Sequence, residues 1–332
     1  SVPGAPTLWL GSKGAQTPQT SWPALQWADL KVLQREHGHR QVPLRFGQHA
    51  VSRTPWEGQC ERLDNVLLGD FCSWLSGKET ISIPYLKDSW WGYCSYQHFE
   101  ALFEDMDDCN RSAANFGEFL EEESSVPGAP TLWLGSKGAQ TPCHQDAYGH
   151  NVVAQLAGEK LWLLFHPNSV WLGAHRLPFE DSSTFTDVDP LSDAECLPAE
   201  CRGLRAVLHP GDVLIVPRHW FHAVQCNSDW SLSLNQWLDA LGDTEQRVQE
   251  AVTRCIASPF LEGRPEPWWL NPDEELLDTK DNIEYLTSAL EVQMGCEVPT
   301  TAVHAALLRA ATRPEVISTI AGLAVAQDCC DR

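Results

Sequence analysis

The chain has 332 residues, enough to bury a continuous core as one large domain or two modest ones. Its 45 acidic side chains against 23 Lys and Arg give a formal charge of -22, which repels nucleic-acid phosphates and anionic membrane surfaces. No apolar run approaches the ~20 residues needed to span a bilayer, so neither nucleic acid nor membrane is an expected partner.

The chain opens on a duplication: Ser1 to Pro18 recurs unchanged as Ser125 to Pro142. Structural repeats diverge and recur several times, so two identical copies do not read as a solenoid. We read residues 1–18 as an artefact of gene prediction, assembly or cloning, and expect no natural strand there. The copies part where chemistry begins: the first continues Gln19-Thr20-Ser21, the second Cys143-His144-Gln145-Asp146.

Residues 19–124 read as an α+β lead-in, rich in Trp and packed on the strand-rich region after it, with a mildly basic patch of Arg35, Arg40, Arg45 and Arg53. Acidic stretches run around Glu100 to Glu123, Leu177 to Cys201 and Glu262 to Glu284, and read as solvated loops and helix faces. The Asn110-Arg111-Ser112 sequon matters only in a secreted protein. Twelve cysteines without regular spacing or a C-x-x-C pair, in a chain with no signal-like apolar segment, point to reduced thiols in a cytoplasmic or nuclear protein.

Residues 125–241 change pattern to short strands parted by Pro, Gly and Asp turns, which predicts a sandwich or barrel. Strands are expected over Thr131–Leu134, Asn151–Leu156, Lys160–Phe165, Arg205–Leu208, Val213–Val216, Phe221–Cys226 and Ser231–Leu238. Residues 242–332 turn helical, with Ile283, Leu286, Leu290 and Met294 on one face and a last helix after Pro314 carrying Ile317, Ile320 and Ala324. These helices could pack on the barrel or form a homodimer.

Residues i and i+2 of an extended segment share a side, so His144 and Asp146 can offer an imidazole and a carboxylate to one metal ion. His222, on the strand after Pro210-Gly211-Asp212 and Val213–Val216, can supply a third ligand. Two histidines and one carboxylate leave open positions on an iron for dioxygen chemistry, although the same set accepts other divalent metals. Lys160 shares a strand face with Trp162 and Leu164; if that face is interior, the ammonium needs an anion, which a dicarboxylate co-substrate would supply. Otherwise it is an edge lysine reaching water. Asn151, Val153 and Gln155 share one face, as do Ser231, Ser233, Asn235 and Trp237; these polar faces line a ligand-binding lumen or meet solvent. His150, His166, His175, His209 and His219 read as surface or hydrogen-bonded residues. Cys143 has no second thiol nearby to make a zinc site.

The runs Thr141-Pro142-Cys143-His144-Gln145-Asp146, Asn151 to Lys160, and Pro210 to His222 resemble the jumonji C oxygenases. The resemblance implies a mainly β fold with flanking helices, a double-stranded β-helix of the cupin or jelly-roll kind. It implies Fe(II) on His144, Asp146 and His222, with the distal carboxylate of 2-oxoglutarate on Lys160 and Thr141 and a pocket lined by Asn151, Asn235 and Tyr93. The spacing from His144 to Lys160 is a residue longer than in some family hydroxylases. The implied activity is hydroxylation or demethylation of a protein substrate, coupled to oxidation of 2-oxoglutarate to succinate. Two other readings stand beside it: an adaptor that binds a small heat-shock protein in the stress response, and a cupin that holds zinc or a small metabolite.

Overall fold

The computed structural model describes residues 7–9, 22–50, 60–103, 113–116, 130–169, 172, 174–176, 183–186, 188–192, 203–240, 242–261 and 278–311. The sequon, the expected last helix at Ile317, Ile320 and Ala324, most of the acidic stretches, and Arg53 of the basic patch lie outside these residues.

A barrel core arises because successive strands alternate between two sheets. From Thr131 onwards run β5 (Thr131–Ser136), β6 (Gln140–Asp146), β7 (His150–Ala157) and β8 (Lys160–Phe165). After the short β9 (Ala174–Arg176) and β10 (Ser183–Thr186) come β11 (Leu204–Leu208), β12 (Val213–Val216), β13 (Phe221–Cys226) and β14 (Trp230–Leu238). β12, β7, β14 and β5 are neighbours in one antiparallel sheet; β11, β8, β13 and β6 are neighbours in the other. Their inner side chains meet, as where Lys160 of β8 bonds to Ser233 of β14, and this is the double-stranded β-helix expected from the sequence. All seven predicted strands are present, each within two residues of its expected ends.

Two turns fix the connections. Gly211 has φ 98°, which suits the Pro210-Gly211-Asp212 turn, and the Asp212 carboxylate accepts from the His209 N–H at 2.8 Å. Gly158 has φ 64° between β7 and β8, where any Cβ would collide with the Trp230 carbonyl oxygen.

The lead-in widens the first sheet. β2 (Gln41–Gln48), β3 (Glu61–Leu67) and β4 (Trp90–His98) extend it beyond β5 in the order β4-β2-β3. Helix α1 (Leu30–His37) is capped by the Asp29 carboxylate, which accepts from the Lys31 N–H at 2.8 Å. Helix α2 (Leu68–Leu75) buries Phe71 and Trp74 beside Phe46, and α3 (Phe99–Leu102) places Phe99 against Trp27. These residues join Val152, Ala154, Leu156, Leu232 and Leu234 in one core. The outer face of the sheet is thereby covered by apolar side chains, each worth about 1.5–3 kcal/mol on burial.

Three expectations need correction. Thr7–Trp9 form a strand, β1, antiparallel to β12 with Leu8 opposite Leu214, against the expectation of no strand in residues 1–18. β12 is otherwise the edge of its sheet, and a Thr-Leu-Trp run of good strand propensity can satisfy its open backbone groups. Arg45 of the basic patch is buried, donating to Ser95 Oγ at 3.0 Å. Ser183–Thr186, expected in a solvated acidic loop, pair with β6 and are buried.

Residues 1–243 with 266–273 form one unit, and residues 244–265 with 274–332 another. In the second, α4 (Asp243–Leu261), α5 (Thr279–Met294) and α6 (Thr300–Ala311) share a core of Ala251, Leu286 and Val303. Asp278 caps α5 and Gly295, at φ 67°, ends it. Ile283 and Leu286 are buried as expected, but Met294 is 62% exposed, since it is the last residue before that cap. Among the described residues no helix is long and apolar enough to cross a membrane.

Candidate metal centre and lumen

β6 carries the first two candidate ligands, and its sequence alone gives no clean alternation. The reason is a β-bulge: His144 lies opposite His222 on β13, yet Thr141 lies opposite Val224, so three steps on β6 match two on β13. The extra residue rephases the strand, and Thr141 and His144 both face inward with Asp146. Ligand atoms of His144, Asp146 and His222 lie within 4.8 Å of one another, and all three residues are buried. His144 Nε2 is 3.6 Å from one carboxylate oxygen of Asp146, and His222 Nε2 is 4.0 Å from the other.

The ring orientations suit metal binding. His144 Nδ1 is 2.8 Å from the Pro142 carbonyl oxygen and His222 Nδ1 is 2.9 Å from that of Trp220. A carbonyl only accepts, so each Nδ1 carries a proton and each Nε2, the atom that would ligate a metal, faces the shared centre. Trp237 Nε1 donates to Asp146 Oδ2 at 3.0 Å, which holds the carboxylate in place. Phe185 of β10 packs on His144 at 5.4 Å. His219 has φ 69°, and its backbone N–H and Nε2 reach the carbonyl oxygens of Asp146 and Ala147, tying the loop before β13 to the end of β6. Two imidazoles and a carboxylate, so pre-aimed, are a donor set that fits Fe(II) and other divalent first-row metals.

Deeper in the lumen Lys160 is 1% exposed. Its Nζ donates to Ser233 Oγ at 2.7 Å and lies 3.5 Å from the Tyr93 hydroxyl, with the Tyr93 ring centroid at 5.4 Å. Among the described residues no carboxylate pairs with it, and burial pulls its pKa from the ordinary 10.5 down to about 8. The face is interior, and among the described residues the ammonium meets the Ser233 and Tyr93 hydroxyls and lies opposite Cys226, so it has the chemistry to receive an anion. Asn235 Nδ2 donates to Asn151 Oδ1 at 2.8 Å while Asn235 Oδ1 accepts from Trp133 Nε1 at 2.7 Å. Thr141 is buried on the same inner surface. The lumen thus brings together all eight candidate residues: His144, Asp146, His222, Lys160, Thr141, Asn151, Asn235 and Tyr93.

The other histidines have ordinary partners. His209 pairs with Glu159 at 3.1 Å, His150 Nδ1 accepts from the Arg218 N–H, and His166 Nδ1 accepts from the Asn168 N–H. The side chain of His175 lies outside the described residues. Burial raises the Cys143 thiol to about 12, and it packs among Phe165, Leu172, Phe221 and Ala223 rather than in the His144, Asp146 and His222 group. Sequence reasoning gives Trp237 and Phe185 no role at the metal centre. Trp237 is already legible on the strand face it shares with Asn235, though not its bond to Asp146; Phe185 gives no signal, because a register across strands places it.

Known proteins resemble the chain over most of the region that forms this site. The family model described as a cupin-like domain matches residues 21–244. HSPB1-associated protein 1 of Mus musculus is 35% identical over 285 residues, covering 81% of this chain and 57% of that protein. Jumonji C domain-containing protein 5 of Drosophila melanogaster is 31% identical over 244 residues, covering 70% of this chain and 54% of that protein. Lysine-specific demethylase 8 of Xenopus tropicalis is 28% identical over 222 residues, covering 65% and 45%. The chain therefore spans about half the length of these relatives. With a two-sheet β-helix, an inward His-Asp-His set and these relatives, the chain belongs to the cupin-like family, in its jumonji C branch.

Proposed function

We propose that the protein is an Fe(II)- and 2-oxoglutarate-dependent oxygenase acting on a protein substrate. The observation that carries this reading is the placement of a buried ammonium, with no acid partner among the described residues, in the same lumen as three convergent metal ligands. His144, Asp146 and His222 would hold the iron, and Lys160, with Thr141 and Tyr93 nearby, would hold the far carboxylate of the co-substrate. When bound, the metal supplies dioxygen activation: 2-oxoglutarate, O2 and a C–H bond give succinate, CO2 and a C–OH group.

The chain's own residues do the rest. The Pro142 and Trp220 carbonyl oxygens hold both imidazoles with Nε2 aimed at the shared centre; Trp237 orients the Asp146 carboxylate; Val153, Leu214, Val216 and Val224 give the lumen an apolar wall. A product hydroxylated on an N-methyl carbon would lose formaldehyde, so hydroxylation and demethylation are one chemistry with different substrates.

The test is succinate formation from 2-oxoglutarate with Fe(II) and ascorbate, comparing wild type with His144→Ala and Asp146→Ala. The reading expects turnover that both variants abolish; equal succinate from all three would discard it.

A second reading is favoured by the name of the HSPB1-associated relatives: an adaptor for a small heat-shock protein. Capture of such a chaperone by wild type and by the His144→Ala/Asp146→Ala double variant, compared side by side, separates the roles. Capture that ignores the double variant supports an adaptor surface apart from the metal centre, and no capture by either removes the reading for this chain.

A further inference from the structure

Trp162 stands between the two halves of the lumen. Lys160, Trp162 and Leu164 share the inner face of β8, with Cys226, Val224 and His222 opposite them on β13. Successive residues on one strand face are about 7 Å apart, so a molecule reaching from the Lys160 ammonium towards the metal ligands passes the indole. The indole lies 5.7 Å from the His222 ring at an interplanar angle of 22°, while His144 lies 4.2 Å from the same imidazole.

Trp162 is 5% exposed, yet among the described residues its Nε1–H has no hydrogen-bond partner. Buried indoles normally find an acceptor, because an unpaired donor bears its full desolvation penalty. It shares an apolar cluster with Val153, Leu214, Val216 and Val224, none of which offers an acceptor. An aromatic ring without the N–H would give apolar bulk and stacking on His222 without that penalty, so the N–H calls for an acceptor that enters from outside the described residues.

We propose that Trp162 is a positioning residue of the co-substrate pocket, its indole N–H donating to an oxygen of the dicarboxylate held between Lys160 and the metal. The inference rests on the reading of the lumen as a metal and 2-oxoglutarate site. Lys160 supplies charge at one end; Trp162 supplies direction along the side, which fixes how the molecule lies against His222.

The experiment is anaerobic titration of 2-oxoglutarate into Mn(II)-loaded wild type and Trp162→Phe, after the Mn(II) affinity and thermal midpoint of each are measured. The expected result is unchanged Mn(II) affinity and midpoint with 2-oxoglutarate bound roughly tenfold more weakly, the loss of one hydrogen bond to a charged acceptor. The charge-transfer absorbance of the anaerobic Fe(II)–2-oxoglutarate complex should also shift, which a purely packing role would not cause. Equal 2-oxoglutarate affinity in both proteins overturns the inference, as does a loss of Mn(II) affinity in parallel. If Trp162→Phe does not fold, benzothienylalanine at position 162 keeps the bicyclic shape without the N–H and is read by the same criteria. Wild type that takes up Mn(II) but no 2-oxoglutarate overturns this inference together with the reading beneath it.

Discussion

The two faces of strands β7 and β14 have opposite chemistry on one backbone. Outward, Val152, Ala154, Leu156, Leu232 and Leu234 join the apolar core shared with the lead-in. Inward, Asn151, Gln155, Ser231, Ser233 and Asn235 are equally buried but polar, bonded to one another, to Trp133 and to Lys160. Burial is the same on both sides, so the difference is one of purpose. An apolar face stabilises by leaving water, whereas a buried polar face gains little over its own desolvation and is kept for what it holds.

That contrast can be broken from either side. The largest effect expected is on Lys160→Met. Removing the ammonium should leave the fold as stable as wild type or more so, because an unpaired buried charge is lost, while 2-oxoglutarate affinity falls by about 3–5 kcal/mol. Paired thermal melts and titrations check both parts, and a destabilised protein that still binds would contradict the assignment.

Leu234→Ala is the mirror case. It should cost about 2–5 kcal/mol of stability in a denaturant titration and leave 2-oxoglutarate affinity per folded molecule unchanged. Trp237→Phe removes the donor to Asp146 and should weaken metal binding about 10–100-fold with the fold intact.

The smallest effect is the pH dependence. The folded pKa of Lys160 lies near 8, below its ordinary value, so the empty protein gains stability as pH rises from about 8 towards 10.5, where the unfolded chain binds more protons. The co-substrate needs the ammonium, so its affinity should fall as pH passes 8, at most about tenfold per unit. Affinity that stays flat between pH 7 and 10 would show that Lys160 is not the anion site.

Much of this is legible in the sequence. Strands such as Lys160–Phe165 and Val213–Val216 alternate or run apolar between turn residues, and the polar side of Ser231-Leu232-Ser233-Leu234-Asn235 can be read before any fold is known. His144 and Asp146 follow from i and i+2 spacing. β6 itself does not read as a strand, because the bulge at its centre breaks the period and Pro142 interrupts it. Phe185 on His144 and the His219 anchor depend on register between distant segments. Trp162 lies in plain view two residues from Lys160, but only the fold shows that its N–H finds no partner among the described residues. The covering of the outer face, which decides between lumen and solvent for the polar one, is set by the tertiary packing of Phe46, Phe71, Trp74 and Phe99.

The most direct test of the central claim, that the inward polar face holds a metal and a dicarboxylate together, is anaerobic calorimetry of 2-oxoglutarate binding to wild type and Asp146→Ala, each with and without Fe(II). The account predicts tight binding only for wild type with Fe(II), since the carboxylate set by Trp237 is needed to hold the ion that the co-substrate meets. Binding of equal strength without metal, or in Asp146→Ala, would contradict it.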